Sequence, residues 1–228
     1  MHYSPDYPGA FLEVSRNPES RYDGPVTSPA AILLDMDGTI TVPRLDFDQI
    51  RRDMGLGPEP ILESMARLDA DEQAKARRVL EMHERVAAEQ ADLNPGIVEF
   101  LHFLKVQKIP SALITRNSAD SVKTVLLKHQ LFFPVCVTRD DGVHKPDPRS
   151  VQLACDRLGV RPGRCWMVGD GYHDVQAGQA AGCTTVWISH GAIRDFEPAP
   201  DFEVADVVSL LNLLRRFLNE PTTADSTP

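Results

Sequence analysis

Cysteine is scarce in this 228-residue chain: Cys136, Cys155, Cys165 and Cys183 are spread without any C-x-x-C pair. That spacing argues against a zinc site or a thioredoxin-like redox pair. At least three of the four fall in apolar runs, where free cysteine behaves as a small buried hydrophobe in a reducing compartment. Long hydrophobic runs are missing as well. None reaches the roughly 20 residues needed to cross a bilayer. The opening stretch, MHYSPDYPGAFLEVSRNPES, has neither the basic start nor the apolar centre of a secretion signal, and its acids argue against a transit peptide. Positive charge is in deficit, with a net charge of -9 and a pI near 5.2. Such a surface repels nucleic acid and anionic membrane. The absences together point to a cytoplasmic protein with neither as a partner.

What is present is a 42% hydrophobic composition, enough for one sizeable core or one core with a smaller appendage. Residues 1–28, rich in Pro, Ser, Tyr and charge and without periodicity, are expected to form a flexible arm, and 219–228 a disordered tail. Between them, short apolar runs alternate with helical patterns. AAILLD, SALIT, FPVCV, CWMVG and TTVWIS have the character of strands. Helical spacing follows Asn94-Pro95 (Ile97, Phe100, Leu101, Leu104), then Val122, Val125 and Leu126, then Val151 to Leu158, then YHDVQAGQAAG, then Val207 to Leu218. This alternation predicts an α/β fold with a Rossmann-like parallel sheet covered by helices on both faces. Residues 45–92 break the pattern. They hold no strand candidate, and Asp69 with Glu72 has the spacing of a capping box. We expect a small all-helical cap at 45–92, inserted after the first strand into a core made of 29–44 and 93–218. An insertion there sits over the strands' C-terminal ends, where open parallel sheets bind ligands.

Chemistry gathers at those ends. ILLDMDGTIT closes an apolar strand with Asp35 and Asp37, and residues i and i+2 of an extended segment face the same way. Two such carboxylates repel and raise each other's pKa unless a cation intervenes or one is protonated for work. Gly38 permits a sharp turn or a close approach. CWMVGDGYHD repeats the arrangement with Gly169, Asp170 and Asp174. Carboxylate oxygens and water are what Mg²⁺ prefers. SALITRNS presents Thr115, Arg116, Asn117 and Ser118 ahead of a helix, a suitable cradle for a phosphate. VHKPDP sets Lys145 in a Pro-bounded loop, where a fixed cation could hold a phosphate and offset the acids.

These clusters resemble the haloacid dehalogenase superfamily, and within it the phosphoglycolate phosphatase-like branch with a small helical cap. The four motifs stand as Asp35-Met36-Asp37-Gly38-Thr39, the strand ending at Thr115, Lys145 in HKPDP, and Gly169-Asp170 with Asp174. The resemblance covers about Ala30 to Leu218. It implies that Asp35 is the nucleophile and forms an aspartyl-phosphate, and that Asp37 protonates the leaving alcohol and then activates water. Thr115 and Lys145, with Arg116 and Asn117 as further candidates, would bind the phosphoryl group. Mg²⁺ would be held by Asp35, the Asp37 carbonyl, Asp170 and, directly or through another ligand, Asp174. The expected substrate is a small phosphorylated metabolite. Dehalogenases, whose halide leaves without a proton, generally lack the second acid that stands here as Asp37.

The chain departs from the pattern in places. Arg116 intervenes before Asn117, and could contact the substrate phosphate or only alter the loop. Thr41-Val42-Pro43 replaces a common Asp-Ser pair, so Pro43 could stiffen the hinge into the cap. Arg51, Arg52, Arg67, Arg77, Arg78 and Arg85 could include a selector for an anionic substrate tail or could simply be a solvated face. His173 reads as a polar first-turn filler, Trp166 and Trp187 as core, and His83 and His144 have no evident partner. Two alternatives stay open: a phosphomutase of the β-phosphoglucomutase type, and a non-catalytic binding or regulatory protein on the same fold. The sequence leaves the oligomeric state open.

Overall fold

The structure, a computed structural model, describes residues 28–195 and 197–219. Of the arm expected at 1–28 and the tail expected at 219–228, residues 1–27 and 220–228 lie outside the described residues, and Asn219 ends the last helix. Six parallel strands form one sheet: β1 (Ala31–Leu34), β2 (Ser111–Ile114), β3 (Val135–Val137), β4 (Cys165–Gly169), β5 (Thr184–Ile188) and β6 (Phe202–Val204). Their order is β3-β2-β1-β4-β5-β6. The chain moves outward on one side of β1 and then returns to build the other side. A crevice therefore opens at the C-terminal end of β1, the place where doubly wound sheets bind ligands.

Strand parity explains the two layers. Ile32 and Leu34 of β1, Leu113 of β2, Trp166 and Val168 of β4 and Val186 of β5 face α4 (Ile97–Val106), α5 (Ala119–His129) and α8 (Val207–Asn219). Ala31, Leu33, Ala112, Ile114, Cys165 and Met167 face α6 (Pro148–Leu158) and α7 (Tyr172–Ala181). Alternate residues of one strand point to opposite faces, so a strand apolar throughout must be covered twice. Cys155, Cys165 and Cys183 are buried in the second layer and Cys136 is half-buried; all four are free. Trp166 packs edge-on against Phe217, with ring centroids 5.0 Å apart.

Between β1 and α4 lie three helices, α1 (Phe47–Met54), α2 (Ile61–Met65) and α3 (Ala70–Gln90). Asp69 starts α3 with the reciprocal cap its spacing foretold, accepting from Glu72 N at 2.8 Å. Ile50, Ile61, Met65, Ala76 and Leu80 give this insertion a small apolar cluster of its own. His83 does have a partner: its Nε2 lies 2.7 Å from Asp53 and ties α3 to α1. The two connections to the core run side by side, with Val42 N donating to Asp92 O at 2.9 Å. Asn94 pins the return, its amide donating to the carbonyls of Thr39 at 3.0 Å and Thr41 at 3.1 Å.

Two details differ from the sequence expectation. Helix α4 begins at Ile97, not at Pro95, because Gly96 takes a left-handed conformation (φ 87°) as its N-cap. Strand β6 follows a Pro-bearing loop and has only three residues, too few to show a period. Among the described residues no helix is long and apolar enough to cross a membrane.

Candidate active site

Each strand end around the crevice delivers one polar group. Asp35 follows β1, Thr115 follows β2, and Asp170 follows β4, whose turn Gly171 leads into α7 with Asp174 in its first turn. Lys145 comes from the loop before α6. It is 1% exposed, and its ammonium bonds to Asp35 Oδ1 and, at 2.6 Å, to Asp174 Oδ1. Asp35 is 8% exposed and Asp174 is 4%. Burial pushes the Asp35 pKa well above the ordinary carboxylate value, opposed by Lys145 and reinforced by Asp174 and Asp170. Burial alone would lower the Lys145 pKa, but Asp174 and Asp35 more than compensate and leave it raised.

Asp37 is held separately. Its Oδ2 accepts from Asn117 Nδ2 at 2.6 Å, and its Oδ1 lies 3.5 Å from Thr41 Oγ1. Burial raises its pKa, partly offset by the Asn117 bond. Asp37 is held by a neutral amide and Asp35 by an ammonium, so the two carboxyls sit in distinct surroundings, as an acid next to a nucleophile requires.

One ammonium among Asp35, Asp170 and Asp174 leaves two negative charges uncompensated. One oxygen from each of the three acids falls within 4.8 Å of the others. Asp174 already serves Lys145 and, through Oδ2, Gly171 N at 3.0 Å. The Asp170 carboxylate accepts no hydrogen bond among the described residues, and its pKa is pushed up to about 6, first by burial and then by Asp174. A hard oxygen donor set with two excess charges and an unengaged carboxylate fits a small divalent cation.

Backbone geometry supports the close approach. Gly38 has φ +82°, and a Cβ there would overlap the Asp170 carboxylate. Gly38→Ala is therefore expected to cost about 1–3 kcal/mol through the left-handed backbone alone. It should also displace Asp170; urea unfolding and metal titration of the variant measure the two effects. His190 Nε2 meets the Gly38 carbonyl at 2.6 Å, and the Trp187 indole donates to the Asp170 carbonyl at 3.0 Å. Trp187 thus secures the end of β4 as well as filling the core.

The site opens into a cavity of about 630 Å³ that runs beneath α1 and α2. Thr115, Arg116, Asn117, Lys145, Asp35, Asp37, Asp170, Asp174 and His173 all line it. Of the six arginines of the insertion considered from sequence, Arg51 alone does so. Arg116 directs its guanidinium to Glu63 of α2, at 3.0 and 2.7 Å, and to the Lys145 carbonyl. His144 turns its Nδ1 to that same carbonyl at 3.1 Å. His173 is half-buried, and burial, with Arg116 nearby, lowers its pKa. Sequence reasoning missed Glu84 and Arg139, a buried ion pair at the cavity wall, because neither belongs to a local motif.

Comparison with known proteins gives the family. Residues 38–188 match the haloacid dehalogenase-like hydrolase family, and the chain belongs to it. It is 32% identical over 210 residues to the pyrophosphatase PpaX of Bacillus velezensis, covering 80% of this chain and 95% of that one. It is 29% identical over 178 residues to the phosphoglycolate phosphatase of Escherichia coli O157:H7, covering 76% and 68% respectively. A hydrolase from Pseudomonas syringae, solved by crystallography, superimposes with a TM-score of 0.67 at 25% identity, over 82% of this chain and 98% of that one.

Proposed function

We propose that this protein is a Mg²⁺-dependent phosphatase that hydrolyses a small phosphorylated metabolite through an aspartyl-phosphate on Asp35. The observation that carries this reading is the buried Lys145 bridge between Asp35 and Asp174, with Asp37 held apart by Asn117. In it, Asp35 attacks phosphorus while Asp37 gives its proton to the departing alkoxide. Asp37 then takes a proton from the water that attacks the phosphoryl group and releases Asp35. Lys145 and the Thr115 hydroxyl hold the phosphoryl oxygens. Asp35, the Asp37 carbonyl and Asp170 would hold Mg²⁺, with Asp174 orienting Lys145. The ion supplies positive charge that offsets repulsion between the carboxylate and the phosphate dianion. Residues 45–92 act as a cap over a core of 29–44 and 93–218. Arg116 serves as a tie to that cap through Glu63.

The test is phosphate release from a panel of phosphorylated metabolites and an aryl phosphate, with Mg²⁺ and with EDTA. Turnover only with Mg²⁺ is expected; equal turnover in EDTA would contradict the reading. Transfer to a second sugar hydroxyl without release to water would indicate a mutase.

The electrostatics give a further expected outcome. The Asp170 pKa is raised on folding, so between about 4 and about 6 the folded protein retains a proton that the unfolded chain has lost. The stability contribution of this group accordingly falls as pH rises through that window. Without metal, Asp170→Asn is expected to be more stable than the wild type at pH 7.5, by on the order of 2 kcal/mol. The gap should close toward pH 4, and Mg²⁺ should reverse the ranking at pH 7.5. Urea unfolding at both pH values, with EDTA or Mg²⁺, measures this.

A further inference from the structure

The buried ion pair of Glu84 and Arg139 has no part in the chemistry just described, yet it is built around the loop that carries it. Glu84 lies in the C-terminal half of α3 and is 2% exposed. Both its oxygens are engaged by Arg139, whose guanidinium also reaches the Arg116 carbonyl at 3.4 Å. Glu84 Oε2 accepts from Ser118 N at 3.2 Å, and Arg139 N donates to the Asn117 carbonyl at 3.0 Å. The pair therefore touches the backbone of residues 116, 117 and 118 in succession. The Asn117 side chain, at the centre of that run, makes the 2.6 Å bond to Asp37. The other hold on Asp37, from Thr41, is long at 3.5 Å.

We propose that Glu84 and Arg139 are positioning residues for proton transfer: the inserted helix α3 sets the 116–118 loop so that Asn117 aims the Asp37 carboxyl at the leaving oxygen. The inference rests on the phosphatase reading above. The step concerned is cleavage of the ester P–O bond as the Asp35–phosphorus bond forms, with the Asp37 proton moving to the departing oxygen. Helix α3 then contributes to the chemical step as well as roofing the cavity. A buried charge pair is a rigid, directional device for this purpose, since losing one partner leaves the other charge unpaired in a dry site.

Leaving groups separate positioning from a general structural role. Phenoxide is a strong base and needs the proton; 2,4-dinitrophenoxide is a weak base and leaves without it. Glu84→Gln is expected to lower kcat/KM for phenyl phosphate by about 30-fold or more, a large part of the roughly 10²–10⁴-fold that a positioned general acid contributes. On 2,4-dinitrophenyl phosphate the loss in kcat/KM should stay below about threefold, because kcat/KM reports transfer to Asp35 and excludes the later attack of water, in which Asp37 serves both esters alike. Adding Asn117→Ala to Glu84→Gln should cost much less than Asn117→Ala costs alone, because both act on the same carboxyl. Arg139→Lys, which keeps the charge but loses the fork to Glu84 and with it the contact to the Arg116 carbonyl, should show the same selective loss and serves if Glu84→Gln does not fold. Equal losses on the two esters, or a change confined to KM, would overturn the inference and leave the phosphatase reading intact. A wild-type protein that hydrolyses neither ester with Mg²⁺ would instead overturn that reading, and the positioning role with it.

Discussion

Asp35→Asn is expected to lower phosphatase turnover by at least about 10⁴-fold, the scale of removing a nucleophile whose partners cannot replace it. The amide keeps the shape and removes the attacking charge. Structure should survive, because Asp35 is buried beside Asp170 and Asp174 and its own charge is opposed by burial. The variant should unfold at a urea concentration equal to or above that of the wild type in EDTA. Loss of activity with retained stability separates a chemical role from a structural one. Full activity in Asp35→Asn would exclude the aspartyl-phosphate route.

The second large effect is expected from Lys145→Met, and it should fall on stability as well as rate. Lys145 is the cation between Asp35 and Asp174, and all three are buried. Removing one partner of a buried ion pair typically costs about 3–5 kcal/mol, because the remaining charge has neither water nor a counter-ion. In the wild type, the raised Lys145 pKa means that its stabilising contribution is fully present below the unfolded lysine value and is lost only as pH rises above the folded one. In Lys145→Met the pH dependence passes to Asp35. Without the ammonium that opposes it, the raised pKa of Asp35 rises further, so acidification below neutrality protonates Asp35 and returns stability. The deficit in EDTA should be largest near pH 7.5 and smaller near pH 5. Turnover with Mg²⁺ should also fall by at least about 10²–10³-fold, the scale of losing one preorganised group that stabilises developing charge.

The chemistry of this fold was legible where it was local. Asp35 and Asp37 stand two residues apart at the end of an apolar strand, and Asp170 and Asp174 bracket the start of a helix, so spacing alone set them at strand ends. The capping box at Asp69 and Glu72 was local in the same way. What stayed hidden depends on partners far apart in the chain. Arg139 and Glu84 are 55 residues apart, Arg116 and Glu63 are 53 apart, and His190 reaches the Gly38 carbonyl across 152. No period or motif encodes such meetings; they follow from how helices of the insertion dock on loops of the core. Arg116 shows the difference most clearly. From sequence it could serve a substrate phosphate or alter its loop, and only the docked α2 brings Glu63 within reach. Strand β6 failed for another reason, since a three-residue strand has no room to display alternation.

Beryllofluoride, a mimic of a transferred phosphoryl group, offers the most direct examination of the whole arrangement. A crystal of the protein grown with Mg²⁺ and beryllofluoride is expected to show beryllium bonded to a carboxylate oxygen of Asp35, its fluorines contacted by Lys145 Nζ and Thr115 Oγ1, and Mg²⁺ against Asp170. Beryllofluoride bound at another residue, or Asp35 left bare beside an occupied metal site, would contradict the assignment of Asp35 as the residue that takes the phosphoryl group.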